Sequence, residues 1–259
     1  MGSAWFGSSW TDPAYGGSSG GTFAMRADQP LAEIPIPPNF AAKFREPEWD
    51  PDLLALTILP QFLSAQVNGQ PWDQSVVLPA PLPITQAIID ELCILAVTER
   101  PEALGEIVQQ NQNFQVCWLQ LLNLTHASHP QTFLLMKLAA RVGEMTMMVL
   151  KRRNATRARP SQICPMLYPP VPVPGHASYP AGHALIGQLT SECLADLLPV
   201  YKIALNKLAE RVGLNRVIAG LHFHQDVEVG WDVGRQLLPF IKQCQLYQAT
   251  LAAAQNEWL

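Results

Sequence analysis

Cysteine is scarce in this chain and poorly spaced for chemistry. The five thiols stand at Cys93, Cys117, Cys164, Cys193 and Cys244. Their number is odd, their spacing is wide and no CxxC occurs, so no zinc knuckle or redox pair is expected. They read as small core residues in a reducing compartment. Long apolar runs are missing too. The best candidate, Phe133 to Leu150, is interrupted by Lys137, Arg141 and Glu144. A bilayer span needs about 18 uncharged apolar residues or more, so a soluble protein without a membrane span is expected. The opening Met1-Gly-Ser-Ala-Trp-Phe lacks a basic start followed by an apolar run. With no clear secretory signal, the cytoplasm is favoured over the periplasm. A basic excess is also absent: the net charge is −4, which gives no hint of a nucleic-acid surface. Period-2 alternation and internal repeats are lacking, which leaves helices as the building material.

What is present is a globular composition, 48% hydrophobic and 15% charged, long enough to bury one full core. Residues 1–24 are rich in Gly and Ser, and residues 29–51 carry Pro30, Pro35, Pro37, Pro38, Pro47 and Pro51. Residues 1–51 are therefore expected to form a flexible, extended N-terminal arm. Residues 52–259 are expected to form a single helical domain.

From Asp52, Leu53, Leu54, Leu56, Ile58 and Leu59 start a helix with a kink expected at Pro60. After a Pro-rich joint at 79–83, helices are expected from Ile84 to Val97 and from Glu102 to Gln110, and Phe114, Cys117, Trp118, Leu121 and Leu122 give another apolar face. Pro130 opens a long helix whose inner stripe runs through Phe133, Met136, Ala140, Gly143, Met147 and Leu150. Residues 160–180 hold seven prolines and read as a loop without a helix, long enough to suggest function. Three more helices follow, from about Ala181 to Leu198, Tyr201 to Leu221 and Gln225 to Ala254. The fold class is all-α, a compact helical bundle.

Chemistry gathers between Arg152 and Asp226. His222 and Asp226 are four apart and share a helix face. The carboxylate can accept a hydrogen from one ring nitrogen and leave the other free to attack. Arg216 lies six residues before His222, so a turn near Gly220 must bring it round. Pro180-Ala181-Gly182-His183 opens a helix whose N-terminus favours an anion. A protonated His183 there can give its proton to a leaving alkoxide. Arg159-Pro160 places a guanidinium at a helix tip with Arg152 two turns back, and guanidinium groups hold phosphate oxygens in a fork. The set suits a tetrahedral oxyanion better than a metal, because on a helix His222 and His224 point apart. His176, seven residues before His183, is a candidate for the pocket mouth.

Arg152-x6-Arg159-Pro160, Pro180-Ala181-Gly182-His183 and Asn215-Arg216-x5-His222-x3-Asp226 occur in that order. Together they resemble the pattern of the type 2 phosphatidic acid phosphatase (PAP2) superfamily, which includes bacterial class A acid phosphatases and vanadium haloperoxidases. That pattern is Lys-x6-Arg-Pro, Pro-Ser-Gly-His and Ser-Arg-x5-His-x3-Asp. The stretch from Arg216 to His222 looks closer to the soluble acid phosphatases than to the membrane lipid phosphatases.

The resemblance implies His222 as a nucleophile that becomes phosphorylated. His183 would be the acid and then the base, and Asp226 would orient His222. Arg152, Arg159 and Arg216 would bind phosphate, with Gly182 donating its backbone N–H. The activity implied is metal-independent phosphomonoester hydrolysis of a small-molecule ester with no cofactor required. Vanadate would be an inhibitor, or the prosthetic group if the chain is a vanadate-dependent haloperoxidase. A non-catalytic phosphate-binding relative is the third reading. Three residues depart from the pattern. Arg152 stands where the family has lysine, with Lys151 beside it as the other candidate for the pocket. Ala181 replaces a serine and removes one hydroxyl donor. Asn215 replaces another serine, where an amide still hydrogen-bonds. The physiological substrate is not legible, and a homo-oligomer stays open.

Overall fold

The structure, a computed structural model, describes residues 49–258. The expected N-terminal arm falls almost wholly outside these residues. At its near edge Pro51 already begins a helix, because the Asp50 carboxylate accepts from the Asp52 and Leu53 N–H groups and caps it.

The described residues from Asp50 onward are helical. In chain order the helices are α1 (Pro51–Ala55), α2 (Ile58–Ser64), α3 (Trp72–Ser75), α4 (Gln86–Thr98), α5 (Arg100–Asn113), α6 (Val116–Leu122), α7 (Pro130–Arg153), α8 (Pro160–Ile163), α9 (Gly182–Leu197), α10 (Lys202–Ile218), α11 (His224–Ile241) and α12 (Gln245–Gln255). Among the described residues the only strands are β1 (Gln66–Val67) and β2 (Gln70–Pro71), paired antiparallel. Their two-residue turn is Asn68-Gly69, both with positive φ, as a tight hairpin demands.

Several expected boundaries shift for identifiable reasons. The first helix breaks at Leu56-Thr57, ahead of Pro60, which then sits in the first turn of α2 where its missing N–H costs nothing. The proline-rich stretch does contain helix: α8 and a 3-10 turn at Pro165–Leu167. Pro160 and Pro165 each occupy a first helical position, where a fixed φ helps rather than hinders. The last expected helix is two, α11 and α12, separated at 242–244.

The core is built round α9, packed by α7, α10 and α11. Thirteen of the 24 residues of α7 are buried. It is therefore an interior helix rather than a surface helix with one stripe. Met136 and Met147 are core residues, as their spacing predicts, while Phe133 is only half-buried. Gly230 and Gly234 let α11 lie directly on α9. A Cβ at Gly230 would come within 2.7 Å of the Ala181 carbonyl oxygen, and one at Gly234 within 2.7 Å of that of Leu185. A side chain at either position would push the two helices apart, and these are the helices that carry His183 and Asp226. Trp118 fills the space over Gly187, and its indole N–H donates to Ser191 Oγ at 2.8 Å.

Among the described residues, no helix is long and apolar enough to cross a membrane. All five cysteines are free thiols.

Candidate active site

Four chain ends converge on one buried cluster: the C-terminus of α7, the segment before α8, the N-terminus of α9, and the turn between α10 and α11. That turn is a Schellman motif. The Leu221 N–H donates to the Arg216 carbonyl at 3.0 Å and the Gly220 N–H to that of Val217 at 2.8 Å, with Gly220 at φ +74°. This is how Arg216, in the last turn of α10, and His222, just beyond it, come to share one pocket.

His222, Asp226, His183, Arg159 and Arg216 are all buried. Which of the two basic neighbours Lys151 and Arg152 enters the cluster is decided by helix geometry. Neighbours on a helix diverge by about 100°, so Lys151 and Arg152 cannot both face inward. Lys151 is 3% exposed, and its ammonium donates to the carbonyls of Ala177 at 2.7 Å and Ser178 at 2.9 Å. Arg152 is exposed and sits outside this cluster. Lys151, not Arg152, is therefore the basic side chain that this helix end turns into the cluster. The helix ends at Arg153 rather than running to Arg159, and the five residues between them absorb the one-residue change in spacing.

Arg159 makes direct contact with His222. Its Nη1 donates to the Leu221 carbonyl at 2.9 Å and lies 3.1 Å from His222 Nε2, while its Nε donates to the His176 carbonyl at 3.1 Å. A guanidinium can only donate, so Nε2 of His222 is the accepting nitrogen and Nδ1 carries the hydrogen. His176 joins the cluster through Arg159, with Nδ1 3.2 Å from Nη2. His183, in the first turn of α9, stacks on Phe114 with ring centroids 4.4 Å apart, and its Nε2 lies 3.4 Å from the Gln110 carbonyl. Ala181 gives α9 no side-chain cap, and a Cβ on Gly182 would press on Met147 at 3.2 Å. The N–H groups of that first turn have no acceptor within their own helix.

The electrostatics are one-sided. Burial and the charge of Arg159 push the Arg216 guanidinium down to about 9. Burial lowers Arg159 to about 10 against the pull of Asp226. Lys151 falls well below its ordinary range, through burial first and then Arg159. His222 and His183 also fall well below theirs, through burial first, with Arg159 leading the charges on the one and Arg216 on the other. His176 is pushed down to about 4 by burial, Lys151 and Arg159. Burial raises Asp226, opposed by hydrogen bonds from Ser178 and the Phe223 N–H. The decisive detail is Arg216. It is 1% exposed, and its Nε and Nη1 have no hydrogen-bond partner among the described residues. Buried N–H donors are almost always satisfied, and a charged one left open is costly.

Some members of the cluster were not legible in the sequence. Ser178 stands between Asp226 and His222. Arg157 Nε lies 3.5 Å from Asp226 Oδ1, and its guanidinium covers the Phe223 ring. Gln110 and Phe114 come from the end of α5, far away in the chain. Asn215, which replaces the family serine, turns its amide N–H groups to Glu106 at 2.7 Å and Gln110 at 3.0 Å. His224 lies outside the cluster, 3.3 Å from Glu91. No group of three or more His, Cys, Asp or Glu among the described residues is placed to hold a metal ion. An open cleft of about 840 Å³ adjoins the cluster, lined by Lys151, Arg152, Arg157, Gln162 and His176 among others.

No family model matches the chain. A non-specific acid phosphatase of Salmonella typhimurium (strain LT2) is 30% identical over 82 residues, which are 32% of this chain and 33% of that protein. The chain thus spans about a third of the length of the curated relative it matches. Among solved structures, the first transmembrane PAP2 type phosphatidylglycerolphosphate phosphatase from Bacillus subtilis is 21% identical. That match covers 74% of this chain and 94% of the other, with a TM-score of 0.44. The acid-phosphatase match, added to the three ordered motifs, supports the resemblance to the PAP2 superfamily.

Proposed function

We propose that this protein of PAP2 resemblance is a phosphomonoester hydrolase in which His222 takes the phosphoryl group. The observation that carries the reading is the buried Arg216, with two open nitrogens and close enough to feel the charge of Arg159, which in turn acts on buried Lys151. Three buried cations face too little negative charge, and a tetrahedral dianion would satisfy both their charge and their donors. The match to a named acid phosphatase agrees with that anion being a phosphate ester.

The chemistry follows from the groups in place. Neutral His222 presents Nε2 with its lone pair, and attack on phosphorus requires the substrate to take over the Arg159 Nη1 donor that Nε2 now accepts. Lys151, Arg159 and Arg216, with the first-turn N–H groups of α9, stabilise the charge that spreads over the equatorial oxygens. Burial first and then the charge of Arg216 keep His183 deprotonated; the dianion offsets that charge, so His183 takes up a proton on substrate binding. It then gives that proton to the leaving alkoxide, and afterwards accepts one from the water that attacks phosphohistidine. The cleft that shares Lys151 and His176 with the cluster gives room for the alcohol half. None of these steps calls on a metal ion.

The test is release of p-nitrophenol from p-nitrophenyl phosphate in excess EDTA, by wild type and His222→Ala. Turnover that survives the chelator and falls by about 10³-fold or more in the variant is expected. Equal rates in the two proteins, or loss of activity in EDTA that zinc or magnesium restores, would overturn the reading.

A further inference from the structure

The carboxylate expected to orient His222 does not touch it. Asp226 Oδ2 lies 3.6 Å from His222 Nδ1, beyond hydrogen-bond length. Ser178 bridges the gap. Its hydroxyl donates to Asp226 Oδ2 at 2.5 Å and lies 3.2 Å from His222 Nδ1. All three groups are buried, with Ser178 at 0% exposed. Only one proton order satisfies the chain. Arg159 Nη1 requires Nε2 to accept, so Nδ1 bears the hydrogen. That N–H donates to Ser178 Oγ, and the hydroxyl hydrogen goes on to the carboxylate, the stronger acceptor. The serine is itself fixed from both sides. Its N–H donates to the Arg157 carbonyl at 2.9 Å, and its carbonyl accepts from Lys151 at 2.9 Å.

We infer that Ser178 is a positioning residue of the reaction, which relays Asp226 to His222 Nδ1 and holds Nε2 as the nucleophilic nitrogen. The inference rests on the phosphohydrolase reading given above. It assigns a role to Ser178, which sits two residues before Pro180 in the stretch Ser178-Tyr179-Pro180-Ala181-Gly182-His183. As His222 bonds to phosphorus through Nε2, positive charge grows on the ring. The relay then places Oγ, polarised by Asp226, against the Nδ1–H whose acidity is rising. The same segment also ties the relay to the anion. Lys151 binds the carbonyls of residues 177 and 178, so a displacement of Ser178 would disturb a phosphate-facing cation as well.

The experiment is a double-mutant cycle on p-nitrophenyl phosphate with Ser178→Ala, Asp226→Asn and the pair, with melting temperatures measured for each. A relay predicts that Ser178→Ala lowers kcat about 10–100-fold with KM within about threefold, because the lost interaction matters only once the ring gains charge. It also predicts that the double variant is no more than about threefold slower than Asp226→Asn alone, since the two act as one unit. Losses that multiply, or a Ser178→Ala rate within about twofold of wild type, would overturn the relay. Ser178→Cys keeps the volume and weakens the hydrogen bonds, so it carries the same comparison if the alanine variant fails to fold. A second measurement separates this inference from the functional reading. Nitrogen-15 shifts of the His222 ring report the tautomer with no substrate present. The relay predicts the Nδ1–H form in wild type and an admixture of Nε2–H in Ser178→Ala. A wild-type ring in the Nε2–H form, or shifts unchanged by the substitution, would overturn it. Wild type without turnover would overturn the phosphatase reading and leave the nitrogen shifts to judge the relay.

Discussion

Helix α7 carries two clusters of charge, and they are built on opposite plans. Midway along it, Lys137 and Arg141 meet Asp52 and Glu144. Lys137 Nζ lies 3.1 Å from Asp52, and Arg141 reaches Asp52 at 2.7 Å and Glu144 at 2.6 Å. Two cations face two carboxylates, and both terminal nitrogens of Arg141 are engaged. At the C-terminal end Lys151 joins Arg159 and Arg216, where Asp226 is the carboxylate acting on Lys151 and Arg159, and two nitrogens of Arg216 are open. In the first cluster the charges are matched two against two within the protein, although Arg141 Nε has no partner, and the cluster fastens α1 to α7. On the proposed function, the second is completed by an arriving anion. Composition does not separate the two. What distinguishes a structural ion cluster from a binding site is whether its charges are already matched.

The sharpest way to break the comparison is to remove an arginine from each cluster. Arg216→Met should lower kcat/KM on p-nitrophenyl phosphate by about 10²–10³-fold, the scale of losing a principal donor to transition-state charge. Its melting temperature should not fall, because the substitution removes a desolvated cation repelled by Arg159. A variant that stays active, or one that loses both activity and stability, would put Arg216 with the structural cluster.

Next in size is the choice between adjacent residues on one helix. Lys151→Met should lose about tenfold or more in kcat/KM beyond what Arg152→Met loses, since the first faces the anion and the second does not. Equal losses would mean that the exposed arginine swings inward.

Arg141→Met should do the reverse of Arg216→Met. It leaves Asp52 and Glu144 without their guanidinium, at a cost of about 1–3 kcal/mol for a half-buried pair. A thermal melt should register this as a lower melting temperature, with turnover unchanged in the folded protein.

The smallest effect concerns pH. His176, His183 and His222 have folded-state values below the ordinary 6.5, His176 at about 4. Groups held neutral in this way give their full stability above pH 6.5, and that contribution is lost as pH falls below it, because the unfolded chain takes up protons first. Melting temperatures should therefore decline from pH 6.5 towards pH 4. Inorganic phosphate should reduce the decline, since a bound dianion raises the affinity of the same imidazoles for protons.

The sequence made the all-α class, the long buried helix and three separated motifs legible, because helical spacing and the order of rare residue types survive without coordinates. Gly220 was readable as a turn, since Arg216 and His222 cannot share a face six residues apart. The register of Lys151 against Arg152 was not readable. It depends on where α7 stops: three basic residues followed by Asn154 do mark an end at Arg153, but Arg159-Pro160 offered a second stop six residues on, and the two place different side chains inward. Ser178, Gln110 and Phe114 escaped for another reason. Each is an ordinary residue type, given a role only by a tertiary contact. The break between α11 and α12 escaped because Pro239 is carried inside α11 and the chain turns only at 242–244, where neither Gly nor Pro marks the stop.

The most direct test of the central claim, that an anion completes the cluster and His222 takes the phosphoryl group, is to trap the intermediate. The protein would be mixed with p-nitrophenyl phosphate, quenched in alkali within one turnover, digested and weighed by mass spectrometry. The account predicts one added phosphoryl group on the peptide containing His222, stable to base and lost in acid, and absent from His222→Ala. A phosphoryl group on another residue, or product formed with no covalent adduct at any quench time, would contradict it.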